Sequence, residues 1–155
     1  MASLRLGAIA LLLAFLSGIA FAHDYKLGAL VIGNPWARAT APTAPAGGGY
    51  LTITNTGTTP DRLLSAKSQA AGMVQIHEMK MEGNVMRMRE LEHGLEIPAG
   101  GTVALAPGGF HLMMMYLKEP LRQGTKIPVS LVFDKAGSIE IEFDVESMGA
   151  TQSSH

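Results

Sequence analysis

From Tyr25 onward the apolar positions of the chain fall into short blocks separated by Gly, Pro and Asn. These blocks predict strands at 27–32, 50–54, 62–66, 73–81, 85–91, 102–105, 111–117, 127–133 and 139–145. The last is the plainest: Ile139-Glu140-Ile141-Glu142-Phe143-Asp144-Val145 alternates strictly, which predicts a half-buried strand with its acids in water. Turn chemistry lies between the blocks at Asn55-Thr56-Gly57, Glu82-Gly83-Asn84, Pro98-Ala99-Gly100-Gly101 and Pro107-Gly108-Gly109. No block has the caps and 3.6-residue period of a long helix. Many strands at this spacing predict an all-β antiparallel sandwich or barrel. The Ala- and Pro-rich stretch 39–46 is read as a loop.

The first residues follow a different pattern. Arg5 precedes an apolar run to Phe21, and Ala20-Phe21-Ala22 has the small-x-small form of a signal-peptidase site. The run is short against the roughly 20 residues of a bilayer span. Residues 1–22 are therefore expected to be a cleaved secretory signal, with an uncleaved, membrane-anchored form as the alternative. Residues 23–147 are expected to form one domain and residues 148–155 a flexible polar tail. After cleavage nothing in the pattern suggests an integral membrane protein.

A formal net charge of −1 supplies no basic field for nucleic acid. The chain has no cysteine, which removes disulfide staples, thiolate nucleophiles and the His-Cys sites of blue copper proteins. Neither a Ser-His-Asp arrangement nor a phosphate loop nor a catalytic carboxylate pair can be argued from spacing. Trp36 is expected to plug the core or one end of the barrel, and His93 to sit in an exposed turn. Asp61, Asp134 and the Glu140–Glu142 face are read as solvated charges.

Chemistry enters with sulfur. Eight of the ten methionines lie between residues 73 and 115, together with His77 and His111. Strand period puts His77, Met79 and Met81 on one face, and Met86 and Met88 on one face. A tight turn at Gly83-Asn84 sets Glu82 opposite Val85. The pairs Met81–Met86 and Met79–Met88 follow, with His77 diagonal to Met88 and Glu78 opposite Arg89. His111 and Met113 form a second half-site on one face. Thioethers and imidazoles favour Cu(I); zinc prefers Cys, His and carboxylate, and calcium prefers oxygen. Methionine is also a flexible core filler, and Met73, Met81, Met86, Met114 and Met115 are read mainly in that role.

His77, ten residues, Met88, 22 residues, then His111-Leu112-Met113 is a spacing that resembles the periplasmic copper chaperone family PCuAC. So do Pro35-Trp36-Ala37-Arg38-Ala39-Thr40, Gly49-Tyr50-Leu51-Thr52-Ile53-Thr54-Asn55 and Pro107-Gly108-Gly109-Phe110. The resemblance implies a cupredoxin-like Greek-key β-barrel and one Cu(I) held by His77, Met88, His111 and Met113. It also implies a periplasmic metallochaperone, not an enzyme, that delivers copper to cytochrome c oxidase assembly or to a Sco-type acceptor. Met79, Met86 and His23 are auxiliary candidates. For a second, tail-borne copper site of the kind the family resemblance suggests, the tail offers only Met148 and His155.

Two other readings stand beside it. Cleavage after Ala22 would leave His23 as an N-terminal chelate for Cu(II), as in a copper monooxygenase. A metal-independent, immunoglobulin-like interaction module would use the methionines as a binding surface instead.

Overall fold

The computed structural model describes residues 24–155. The expected signal segment 1–22 and His23 lie outside the described residues. Eleven strands follow one another: β1 (Tyr25–Leu27), β2 (Leu30–Arg38), β3 (Ala46–Asn55), β4 (Asp61–Lys67), β5 (Ala71–Glu82), β6 (Val85–Glu90), β7 (Leu95–Ile97), β8 (Thr102–Leu105), β9 (Phe110–Leu117), β10 (Lys126–Phe133) and β11 (Gly137–Glu146). No helix occurs among the described residues. The all-β expectation holds.

The strands hydrogen-bond in the order β6-β5-β9-β8-β3-β2-β11-β10-β4-β7, with β1 on β2 and a second pairing of β9 with β3. The far end curls back. β7 comes against β3, and Asn55 at the end of β3 donates its side-chain amide to the Ile97 carbonyl. Inside lie Ile32, Ile53, Leu63, Ile97, Leu112, Met114, Leu131, Ile141 and Phe143, all fully buried. This apolar interior is the main source of stability in a chain without disulfides.

Several elements differ from the sequence pattern. The apolar block 27–32 is a hairpin rather than one strand. Gly28 takes a left-handed φ of +57°, turning β1 into β2, so Leu27 pairs with Leu30. β2 then runs past Pro35 through a register shift between Gly33 and Trp36, where Asn34 has a φ of 49°. This bulge re-aims Trp36, which packs on Tyr50 with ring centroids 4.5 Å apart. β3 starts earlier than the pattern suggested, at Ala46. Its glycines allow close packing: a Cβ on Gly49 would lie 2.9 Å from the Phe143 ring. The sheet is mostly antiparallel, but β11 pairs with β2, and β8 with β9, in parallel.

Asp61 is a clear correction. It was read as a solvated charge but is only 8% exposed. Its carboxylate accepts backbone N–H bonds from Arg62 (2.7 Å), Lys135 (2.9 Å) and Ala136 (2.9 Å), and so ties β4 to the turn between β10 and β11. Burial pushes its pKa up, but these three donors and the Lys135 charge outweigh that and hold it below the usual value. In the tail, Arg38 Nε donates to the Ala150 carbonyl at 2.7 Å, and the Ser154 hydroxyl donates to Glu146 at 2.7 Å.

Candidate functional site

Three neighbouring strands build the site. Gly83 turns β5 into β6 with a φ of +64°. The register is the one expected from the turn: Glu82 faces Val85, Met81 faces Met86, Met79 faces Met88 and Glu78 faces Arg89. On the other side β5 pairs with β9, which sets His77 directly opposite His111, Gln75 opposite Met113 and Met73 opposite Met115. Ile76, Leu112 and Met114 point into the core. Alternation therefore sends Gln75, His77, Met79 and Met81 of β5, and His111, Met113 and Met115 of β9, to the outer face.

All four sequence-predicted ligands thus share one face. His111 Nε2 lies 3.2 Å from Met88 Sδ, across the intervening strand. The rings of His77 and His111 are edge-on, with centroids 5.6 Å apart. A cleft of about 340 Å³ collects Met79, Met88, His111 and Met113, with Arg38, Gly48 and Tyr50 on its far wall. His77 borders His111 without lining that cleft. His111 is only 6% exposed whereas Met88 is 49% exposed, so the site has one buried anchor and one accessible sulfur. Of the auxiliary candidates, Met79 lines the cleft and Met86 stands further out, opposite Met81.

Hydrogen bonds decide which imidazole nitrogens are free. His111 Nδ1 is 3.1 Å from the Gly109 carbonyl, which can only accept. Met88 sulfur, a far weaker acceptor, lies at the other nitrogen, so the Gly109 carbonyl orients the ring and Nε2 is the nitrogen turned toward the sulfur. His77 Nε2 is 2.8 Å from the Gln75 side-chain oxygen and donates to it by the same logic. Its Nδ1 is buried and has no hydrogen-bond partner. An orphaned, buried nitrogen lone pair is costly and calls for an acceptor of electrons. Burial, followed by the neighbouring His111, lowers the His77 pKa against the weaker opposing pull of Glu90.

The donor set selects the ion. Among the described residues no group of three or more His, Asp or Glu side chains is arranged to hold a metal. The donors beyond the two imidazoles are thioethers, which suit a soft monovalent ion far better than zinc or calcium. The cleft's other wall was not foreseen. The Arg38 guanidinium lies 5.9 Å from the centre of the Tyr50 ring. Burial raises the Tyr50 pKa, opposed by Arg38. A Cβ on Gly48 would lie 2.6 Å from the Tyr50 hydroxyl, so this glycine makes room for the ring. Gln75 could have been found from its two-residue spacing to His77; Arg38 and Tyr50 lie in the family-like segments, but no local pattern ties them or Gly48 to the site.

Met73, Met81 and Met86 overturn the core-filler reading. All three are exposed: Met73 lies at the start of β5, and Met81 and Met86 at the hairpin tip, outside the core. Met114 does fill the core. Among the described residues no helix is long and apolar enough to cross a membrane.

Comparison with known proteins gives a consistent picture. A family model described as "Putative lipoprotein LpqE-like" matches residues 30–145. A curated relative named "Putative lipoprotein Lxx21020", from Leifsonia xyli subsp. xyli, is 36% identical over 103 residues, 66% of this chain and 62% of that protein. The chain spans about three fifths of the length of the curated relatives it matches. Among solved structures, the copper-bound PCuAC domain from PmoF2 superposes with a TM-score of 0.69 at 29% identity, covering 81% of this chain and 98% of that one. The apo PCuAC domain from PmoF1 gives a TM-score of 0.69 at 30% identity, covering 81% and 99%.

Proposed function

The chain belongs to the LpqE-like family and has PCuAC domains as structural neighbours; on that footing we propose that it is an exported, periplasmic Cu(I) carrier that holds the ion on His77, Met88, His111 and Met113. One observation carries the proposal. Two imidazoles stand side by side on a face with thioethers, each oriented by a hydrogen bond from one ring nitrogen to an oxygen, with His77 Nδ1 lacking a hydrogen-bond partner and His111 Nε2 turned toward Met88 sulfur. That is a neutral, soft donor set. It leaves a bound Cu(I) with a single positive charge beside the Arg38 guanidinium. A doubly charged ion there would be opposed more strongly, which favours the lower oxidation state.

The same features suit transport rather than permanent storage. His111 anchors from a buried position. Met88 is half-exposed and individually weak, so an acceptor can displace it first and then take the ion ligand by ligand. The family resemblance points to cytochrome c oxidase assembly, or a Sco-type factor, as the acceptor; this identity forms part of the proposal. The test is competition for Cu(I) against a coloured chelator. His77→Ala and His111→Ala should each weaken binding at least about tenfold, about 1.4 kcal/mol. Wild-type affinity in both variants would refute the assignment.

A further inference from the structure

The outer face carries more sulfur than one ion needs. One rung beyond Met79–Met88, at the tip of the β5–β6 hairpin, Met81 and Met86 face each other. They are 55% and 47% exposed, and every residue of β6 is exposed, so neither side chain serves the core. The hairpin's opposite face carries its ion pairs, Arg89 to Glu78 at 2.8 Å and Arg87 to Glu82 at 2.9 Å. Exposed thioethers confined to one face of an edge hairpin, in line with a metal cluster, ask for a purpose.

Two residues along a strand advance it by about 7 Å. Methionine has three rotatable side-chain bonds, so sulfurs on adjacent rungs can approach a common ion. An ion held by one pair can therefore gain a sulfur from the next before losing its own. We propose that the Met81–Met86 pair is a second, weaker Cu(I) site. In this exchange station, the ion passes between solvent or a partner and the His77–His111 centre by way of Met79 and Met88. The proposal rests on the Cu(I) carrier reading above. The metal stays Cu(I) throughout: thioether ligands are exchanged one for another, and no electron or proton moves.

The experiment titrates the full chain anaerobically with Cu(I), supplied as its acetonitrile complex, while methionine methyl and histidine ring NMR signals are followed. The first equivalent should move the signals of His77, His111, Met88 and Met113. The second should move the methyls of Met81 and Met86, in the wild type and equally in His111→Ala. In M81L/M86L the affinity of the central site should stay within about twofold, while uptake from a Cu(I)–chelator complex slows by about fivefold or more. Unmoved Met81 and Met86 methyls under excess Cu(I), or uptake at the wild-type rate in the double variant, would overturn the exchange site and leave these residues as a protein-docking patch. Failure of the carrier reading looks different: the His77 and His111 ring signals would not respond to the first equivalent, whatever the tip does. The titration uses the unmodified chain, so it does not depend on the variant folding.

Discussion

Gln75 tests the chemistry of the site without touching a ligand. Its side-chain oxygen accepts the His77 Nε2 proton at 2.8 Å, which leaves the buried Nδ1 as the ring's free lone pair. Gln75→Leu keeps the volume and removes the acceptor. A hydrogen bond of this kind contributes about 0.5–1.5 kcal/mol net, a factor of about 2–13 in affinity if all of it is lost from the bound state. Outer partners that orient a metal-binding histidine are typically worth about 10–100-fold. The two ranges overlap near tenfold, which is the expected weakening of Cu(I) binding. Gln75→Glu, which restores an acceptor, should recover most of it. Affinity is read by chelator competition and the tautomer by the ¹⁵N shifts of the His77 ring. Affinity within about twofold of wild type, with unchanged ring nitrogens, would refute the claim that Gln75 fixes the tautomer.

Two further outcomes follow from the structure. Gly48→Ala places a methyl 2.6 Å from the Tyr50 hydroxyl, so the ring must swing away from Arg38 and Trp36. Stability should fall by about 1–3 kcal/mol, Cu(I) binding should weaken, and emission from the single tryptophan should change; a silent variant would remove Tyr50 from the site. Asp61→Asn replaces a carboxylate that accepts three backbone N–H bonds and should cost about 1–3 kcal/mol in a denaturant melt. Because the folded pKa of Asp61 is lowered, its stabilisation is complete above the ordinary aspartate value of about 3.9 and lost as pH falls through the lower folded value. The Asn variant should lose part of that acid dependence, and an unchanged acid profile would show that the contribution lies elsewhere.

Much of the site could be read along the chain because a strand repeats every two residues. Once Gly83-Asn84 marked the turn, the pairs Met81–Met86, Met79–Met88 and Glu78–Arg89 followed, since a slip of one residue would mix thioethers with charges. His111 and Met113 could be placed on one face by the same rule. That the two half-sites meet could not be derived from period. The contact depends on β5 pairing with β9 in the register that opposes His77 to His111, a choice made by the core residues Ile76, Leu112 and Met114 behind them. Gly48, Tyr50 and Arg38 reach the cleft only because β3 also pairs with β9.

The misreadings have a common cause. Alternation says which residues share a face but not which face meets the core. Met81 and Met86 look like filler along the chain because apolar side chains usually find a partner, whereas they stand at the exposed tip of a hairpin whose second strand, β6, is the sheet's edge. Asp61 reads locally as a solvated charge because its partners Lys135 and Ala136 lie at a turn far along the chain. Local sequence determined the strands, the hairpin and the softness of the donors. Tertiary structure decided which nitrogens are free, which sulfurs are exposed and where the donors converge, because those properties depend on neighbours brought together only by the folded sheet.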